Sequence, residues 1–166
     1  MNANDIVNDA FGRLPGLVTA AVENLTPEQL RQAPAPGANT VGWLVWHLTR
    51  VQDSHVAELL ETDQVYLQGD WAPRFGLKPD PSDIGYGHTA EQVAAVAPES
   101  SAALTAYYTA VHERTSSYLE GLKAADYDRV VDENWDPPVT VGVRLVSVLS
   151  DDLQHAGQAA YVRGLL

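Results

Sequence analysis

Residues 40–51 read TVGWLVWHLTRV, a predominantly apolar segment. The apolar side chains have helical spacing, and they occupy most of the helix circumference rather than one stripe. A helix of this kind is buried on nearly all sides, which suits the centre of a bundle. His47 follows Trp43 by four residues and so shares its buried face. The segment therefore predicts a central helix that carries a histidine into the core.

The central helix has a recognisable beginning, and a long connection follows it. Asn39 or Thr40 can cap its first turn, and the helical pattern continues to about Leu60. Residues 62–88 then lose all periodicity among glycines and prolines. Irregular connections of this length are uncommon in compact domains and often serve function.

Three other segments have apolar residues spaced three and four apart, as amphipathic helices do. They cover residues 5–22, 89–122 and 140–164, and a further short helix is expected after the cap residue Thr26. Together with the central helix they predict an all-α fold. We expect an antiparallel four-helix bundle with long irregular connections, formed as a single domain over residues 1–166.

Local features affect three of these segments. Pro15 is expected to kink the first helix, and Pro98 offers an alternative start for the helix that otherwise begins after Thr89. The Val-rich residues 139–148 could form a strand. No partner strand is apparent, so a helix is favoured there.

Composition excludes several classes of function. The 166 residues include 22 acidic and 10 basic side chains, a net charge of −12, and no cysteine. The lack of cysteine excludes disulfides, thiolate metal ligands and a cysteine nucleophile in this chain. The negative charge argues against binding to nucleic acid or anionic membranes. No signal peptide or membrane-spanning run is apparent, so the sequence predicts a cytoplasmic protein.

Two short patterns could carry chemistry. His47 is either a core histidine with a hydrogen-bond partner or a metal ligand. Near the other end of the chain, Asp151 and His155 lie one helical turn apart, so they can bind one cation from a single helix. Asp152 also faces His155, and spacing does not choose between the two aspartates. Alternatively, an aspartate here only orients the histidine.

These residues together could close a two-histidine, one-carboxylate site inside the bundle. The predicted ligands are His47, Asp151 and His155. Three protein ligands leave positions open for water or substrate, which is typical of catalytic rather than structural sites. Zinc fits this donor set best, and nickel and ferrous iron are alternatives.

Other polar and aromatic residues give weaker signals. His55 is too far along its helix to share an ion with His47, and His88 and His112 have no partner at helical spacing. Arg144 and Arg163 could attract an anionic substrate or form salt bridges. The remaining candidates are aromatic residues expected in the core or in a pocket wall, namely Tyr107, Tyr108, Tyr118 and Trp135.

Two motifs resemble those of the DinB/YfiT-like superfamily of metal-binding four-helix bundles. They are residues 36–48, PGANTVGWLVWHL, and residues 151–158, DDLQHAGQ. The resemblance implies that His47, Asp151 and His155 bind a divalent metal. The carboxylate at position 151 is similar to the branch that includes mycothiol-dependent maleylpyruvate isomerase and related thiol S-transferases. That branch usually has the longer Glu at this position. Resemblance also implies a homodimer.

The predicted function follows from the metal site and the resemblance. The first hypothesis is a metal-dependent S-transferase that activates a low-molecular-weight thiol, such as mycothiol, for attack on an electrophilic small molecule. The second is a hydrolase that uses metal-bound water. The third is a binding protein without catalysis, in which the polar residues serve structure.

Overall fold

The structure is a computed structural model, and it describes residues 2–166. The fold is all-α, as predicted, with one small hairpin. The helices are α1 (Ala3–Gly12), α2 (Leu14–Val22), α3 (Pro27–Leu30), α4 (Val41–Leu60), α5 (Trp71–Arg74), α6 (Ala90–Ala95), α7 (Ser101–Gly121) and α8 (Val141–Arg163). Two strands, β1 (Val130–Asp132) and β2 (Val139–Thr140), and two 3-10 turns, Val65–Leu67 and Ala124–Asp128, complete it.

Four helices form the bundle. α4 packs against α7 and α8, and α2 packs against the same two helices from the opposite corner. Between them lies a continuous core of aliphatic and aromatic side chains. α4 supplies the centre, because every residue from Val41 to Asp53 is buried. The central position predicted for this helix is confirmed.

Contacts between side chains give the directions of the helices. His47 lies beside His155, and His55 lies beside Arg144, so α4 and α8 run antiparallel. Arg50 contacts Tyr107, while Arg114 binds the Asp63 carbonyl just beyond the end of α4. α4 and α7 therefore run in the same direction. A parallel pair needs a connection that returns along the whole helix, about 30 Å for 20 residues.

The long connection between α4 and α7 makes this return along the surface of α4. Its successive parts contact α4 residues in reverse order. Residues 65–66 lie at Asp53, residues 80–83 at Arg50, residues 84–85 at His47, and His88 at Trp43. The irregular segment predicted for residues 62–88 is thus an ordered crossover that covers one side of the central helix.

A buried arginine anchors this crossover. Arg50 is 0% exposed, and its guanidinium donates to the carbonyls of Asp80, Pro81 and Asp83 and to Gln64 Oε1. It also lies 3.9 Å from the centre of the Tyr66 ring. These contacts satisfy the charge inside the protein, where an unpaired guanidinium would be very costly.

Asp53 completes the network. Its carboxylate lies 3.6 Å from Arg50 and accepts hydrogen bonds from the backbone N–H groups of Val65 and Tyr66, each at 2.8 Å. The Tyr107 hydroxyl donates to it at the same distance of 2.8 Å. The pair therefore links α4 to two parts of the crossover and to α7.

The helix boundaries differ from prediction in two places. Residues 5–22 form two helices rather than one kinked helix, because the chain breaks at Arg13 and Pro15 then occupies the first turn of α2. The predicted helix 89–122 is also divided. α6 ends at Ala95, and α7 begins at Ser101 with Ser100 as its cap, since Pro98 cannot donate a helical hydrogen bond.

The prediction that no strands pair was wrong. β1 and β2 form an antiparallel two-stranded sheet just before α8. Two or three residues per strand are too few to show alternation in the sequence, so periodicity does not reveal this pair. The Val-rich residues after Thr140 are helical, as favoured. Over residues 2–166, no helix has both the length and the apolarity needed to cross a membrane.

A substitution at Arg50 tests whether the buried Arg50–Asp53 pair holds the crossover against α4. Replacing Arg50 by Met leaves Asp53 buried without its cation, and we expect a loss of about 3–5 kcal/mol in the free energy of unfolding. Chemical denaturation measures this. Arg13→Met is the matched control, since Arg13 pairs with Asp9 on the exposed surface, and its denaturation midpoint should not change. Equal effects of the two substitutions would contradict this account of Arg50.

Candidate metal centre

Helices α4 and α8 bring the three predicted ligands together. One ligand atom each from His47, Asp151 and His155 can be chosen so that all lie within 4.8 Å of one another. The antiparallel packing of α4 and α8 creates this cluster, because it sets residue 47 opposite the turn that carries residues 151 and 155. His47 is 5% exposed, while the side chains of His155 and Asp151 are 18% and 30% exposed. Solvent therefore reaches the cluster from the side of α8.

Both histidines use Nδ1 for a hydrogen bond, which leaves Nε2 as the nitrogen available to a metal. His47 Nδ1 bonds to the carbonyl oxygen of Ile84 in the crossover, so Nδ1 is the donor and Nε2 keeps its lone pair. His155 Nδ1 bonds to Gln158 Oε1 at 2.8 Å, with the same consequence. An imidazole whose second nitrogen donates to an oxygen is the usual arrangement of a metal-binding histidine.

Electrostatics distinguishes the two histidines. Burial lowers the pKa of His47, which favours the neutral ring that a metal requires. The pKa of His155 is raised, chiefly by its interaction with Asp151, whose Oδ1 lies 3.5 Å from His155 Nε2. Asp151 Oδ2 is buried and has no hydrogen-bond partner. A cation at the cluster would satisfy it.

The structure separates the two candidate aspartates. Asp151 belongs to the cluster, whereas Asp152 is 0% exposed on the core side of α8. Burial raises the pKa of Asp152 well above its ordinary value, which favours the neutral carboxyl. Successive residues of a helix point about 100° apart, which is why only one of the two reaches the cluster.

The donor set suits a divalent ion. Two imidazole nitrogens and one carboxylate oxygen can hold Zn²⁺ with a position left for another ligand. The same set also accepts nickel and ferrous iron. The buried Oδ2 of Asp151, which has no hydrogen-bond partner, and the Nε2 atoms of the two histidines, whose Nδ1 atoms are already hydrogen-bonded, fit a metal site at this cluster.

Trp43 and His88 complete the wall of the site. The Trp43 ring stacks on His47 with centroids 4.6 Å apart and meets the edge of His155 at 6.2 Å. Its indole N–H donates to His88 Nδ1 at 3.1 Å, and His88 Nε2 lies 2.8 Å from Asp83 Oδ1. Sequence reasoning set His88 aside because it lacks a partner at helical spacing. Its partners come from α4 and from a tight turn of the crossover.

Other predicted candidates lie outside the cluster. Arg144 interacts with His55 at 3.2 Å and with Asp132 at 3.5 Å, and Arg163 donates to the carbonyl of Ala20, so both are engaged within the protein. Tyr107 and Tyr108 are buried in the core, and Tyr118 packs partly buried against it. Trp135 was expected in the core or a pocket wall, but it is 66% exposed because the hairpin carries it outward.

The fold and this site define a class of helical bundle with a candidate metal centre between two antiparallel helices. The sequence profile of the DinB superfamily matches residues 10–159, and the chain belongs to that superfamily. No curated protein matches the chain. A solved structure described as the conserved protein of a locus from Enterococcus faecalis is similar over 99% of this chain and 97% of its own. The two chains are 33% identical, with a TM-score of 0.90.

Substitutions at the cluster test its role. We expect His47→Ala, Asp151→Ala and His155→Ala each to abolish metal retention, because two ligands hold an ion far more weakly than three. Elemental analysis of protein purified without an affinity tag measures this. Asp152→Asn is the control, since the amide keeps the size and shape of the carboxyl at a position outside the cluster, and it should retain most of the metal. The reverse pattern would make Asp152 the ligand.

His112 gives a prediction for pH. It stacks on Tyr108, its Nδ1 is buried without a partner, and burial lowers its pKa from 6.5. The folded state thus favours the neutral ring of His112, whereas the unfolded chain takes up a proton more readily. The folded protein therefore loses stability relative to the unfolded chain as pH falls below 6.5. His112→Gln should therefore reduce the fall in melting temperature between about pH 7.5 and about pH 5.5. An unchanged fall would contradict the assignment.

Proposed function

We propose that this protein is a metal-dependent S-transferase that uses a low-molecular-weight thiol of the mycothiol kind. The observation that carries the proposal is a solvent-accessible His-Asp-His cluster, in which both histidines have Nδ1 hydrogen-bonded and Nε2 available to a metal, in a chain without cysteine. Any sulfur nucleophile must therefore come from outside the chain. The reaction would form a carbon–sulfur bond to an electrophilic small molecule.

In this proposal three residues bind the metal, and Trp43 shields it from water. A bound zinc ion would lower the pKa of a coordinated thiol and so supply a thiolate at neutral pH. His47 and His155 would hold the ion as neutral donors, and Asp151 would offset part of its charge. Trp43 covers the inner side of the cluster and keeps water away from His47.

A surface cavity linked to the cluster through Gln158 offers room for the substrate. It has a volume of about 510 Å³, which is within the range of small-molecule sites. Gln158 lines it and also binds His155 Nδ1, so this one side chain links the cavity to the candidate metal centre, although His47, Asp151 and His155 do not line it. Its remaining lining residues are mostly small or apolar, namely Ala38, Asn39, Leu44, Gly157, Tyr161 and Val162.

The arrangement of His88 favours thiol transfer over hydrolysis. Hydrolysis by metal-bound water commonly needs a free acid or base to protonate the leaving group. His88 is the nearest further histidine, and both its nitrogens are engaged, with Trp43 and with Asp83. In the proposed transfer the thiol would lose its proton to solvent, and the new carbon–sulfur bond would replace a carbon–chlorine bond. Chloride leaves without being protonated, so the transferase is the better supported of the two reactions.

The assay for this proposal uses the zinc-loaded protein with an aryl chloride as electrophile. With mycothiol, cysteine or glutathione as the thiol, we expect thiol-dependent release of chloride and formation of the aryl thioether. His47→Ala should fall to the uncatalysed rate, because it lacks a metal ligand. His112→Ala is the control, a histidine outside the cluster, and should keep the wild-type rate.

Other outcomes separate the rival functions. Turnover of an activated ester without any thiol would indicate the hydrolase. Protein that binds no zinc even after reconstitution, and converts neither substrate, would indicate a binding protein without catalysis. The cytoplasmic location and the homodimer implied by the family resemblance stay predictions, and sedimentation of the purified chain would test the dimer.

A further inference from the structure

Residues 80–88 of the crossover, here called the strap, lie directly over His47. Arg50 fastens one end through the carbonyls of Asp80, Pro81 and Asp83. At the other end, His88 accepts a hydrogen bond from the indole of Trp43. Between these two anchors, the carbonyl oxygen of Ile84 faces His47 Nδ1.

Hydrogen bonds of Asp83 and the conformation of Gly85 define the turn that carries the Ile84 carbonyl. Asp83 Oδ1 accepts from the N–H of Gly85 at 3.1 Å and also bonds His88 Nε2 at 2.8 Å. Gly85 is buried, with φ of +90°, and a Cβ at this position would come within 2.8 Å of His47 Nδ1 and 2.9 Å of the Trp46 ring. Only glycine combines this backbone conformation with so close an approach to the histidine.

The hydrogen bonds also determine which nitrogen of His88 carries its proton. An indole N–H can only donate, so His88 Nδ1 is an acceptor and His88 Nε2 donates to Asp83. The side chain of His88 is only 8% exposed and uses both nitrogens. It therefore holds the Trp43 ring in place, and that ring stacks on His47 at 4.6 Å.

We infer that the strap is the positioning element of the metal centre. The Ile84 carbonyl holds His47 with its proton on Nδ1, and the Asp83–His88 pair fixes both that carbonyl and the Trp43 ring. Asp83 and His88 are thus positioning residues that act through His47 and do not touch the ion. The inference rests on the proposed metal site and adds residues that lie up to 41 positions away from His47 in the chain.

The first test measures zinc affinity by competition with a chromogenic chelator. His88→Leu removes both hydrogen bonds, and we expect a loss of about 10- to 100-fold in affinity, as for other outer-shell partners of metal-binding histidines. His88→Gln should restore most of it, because the amide oxygen can accept from Trp43 while the amide nitrogen donates to Asp83. His112→Leu is the matched control outside the strap and should bind zinc like the wild type.

The second test reads the tautomer directly in the metal-free wild-type protein. Nitrogen and carbon NMR shifts of the His47 ring distinguish a proton on Nδ1 from one on Nε2, and we expect Nδ1. In His88→Leu the two forms should become mixed. The measurement on the wild-type protein needs no variant to fold and no metal to bind.

The outcomes separate this inference from the proposed function. His47 protonated on Nε2 in the wild type, or unchanged zinc affinity in a folded His88→Leu protein, would overturn the role of the strap. If His47→Ala binds zinc as tightly as the wild type, the metal site itself is wrong, and the tautomer measurement still reports on the strap.

Discussion

The structure depends on one buried charge, the guanidinium of Arg50. It lies at the centre of the most buried helix, where water cannot solvate it, so its hydrogen bonds must come from the protein. The backbone carbonyls of Asp80, Pro81 and Asp83 and the side chain of Gln64 accept these hydrogen bonds, and the carboxylate of Asp53, 3.6 Å away, supplies the opposite charge. The same need holds the crossover against α4, because without residues 80–83 the guanidinium would lose three carbonyl acceptors in a place where water cannot replace them.

This constraint connects the topology of the bundle to the candidate metal centre. α4 and α7 run in the same direction, so the chain must return along α4 before α7 can begin. The returning segment contacts Arg50 through Asp83 and then His47 through Ile84. On α4, His47 lies three residues before Arg50. The carbonyl of Ile84 therefore lies on one side of the His47 imidazole. Asp151 and His155 of α8 lie on the other side. The site forms only where three separate parts of the chain meet.

Much of this could be predicted from local sequence. Helical spacing and capping residues identified the long helices, and the four-residue spacing placed Asp151 and His155 on one face. His88 was missed because its partners, Trp43 and Asp83, belong to a helix and a turn with no fixed spacing between them. Arg50 gave a weak signal, a single arginine within an apolar helix. Two short strands were missed because each depends on the other for its pairing.

The sequence by itself determined the helices, the central position of α4 and the types of ligand available, since these depend on periodicity and on side-chain chemistry. The tertiary structure decided which aspartate joins the cluster, which nitrogen of each histidine is free, and which loop covers them. Those features depend on contacts between residues far apart in the chain. No local pattern encodes such contacts, because they arise only when the crossover is bound to α4 and α8 is packed beside it.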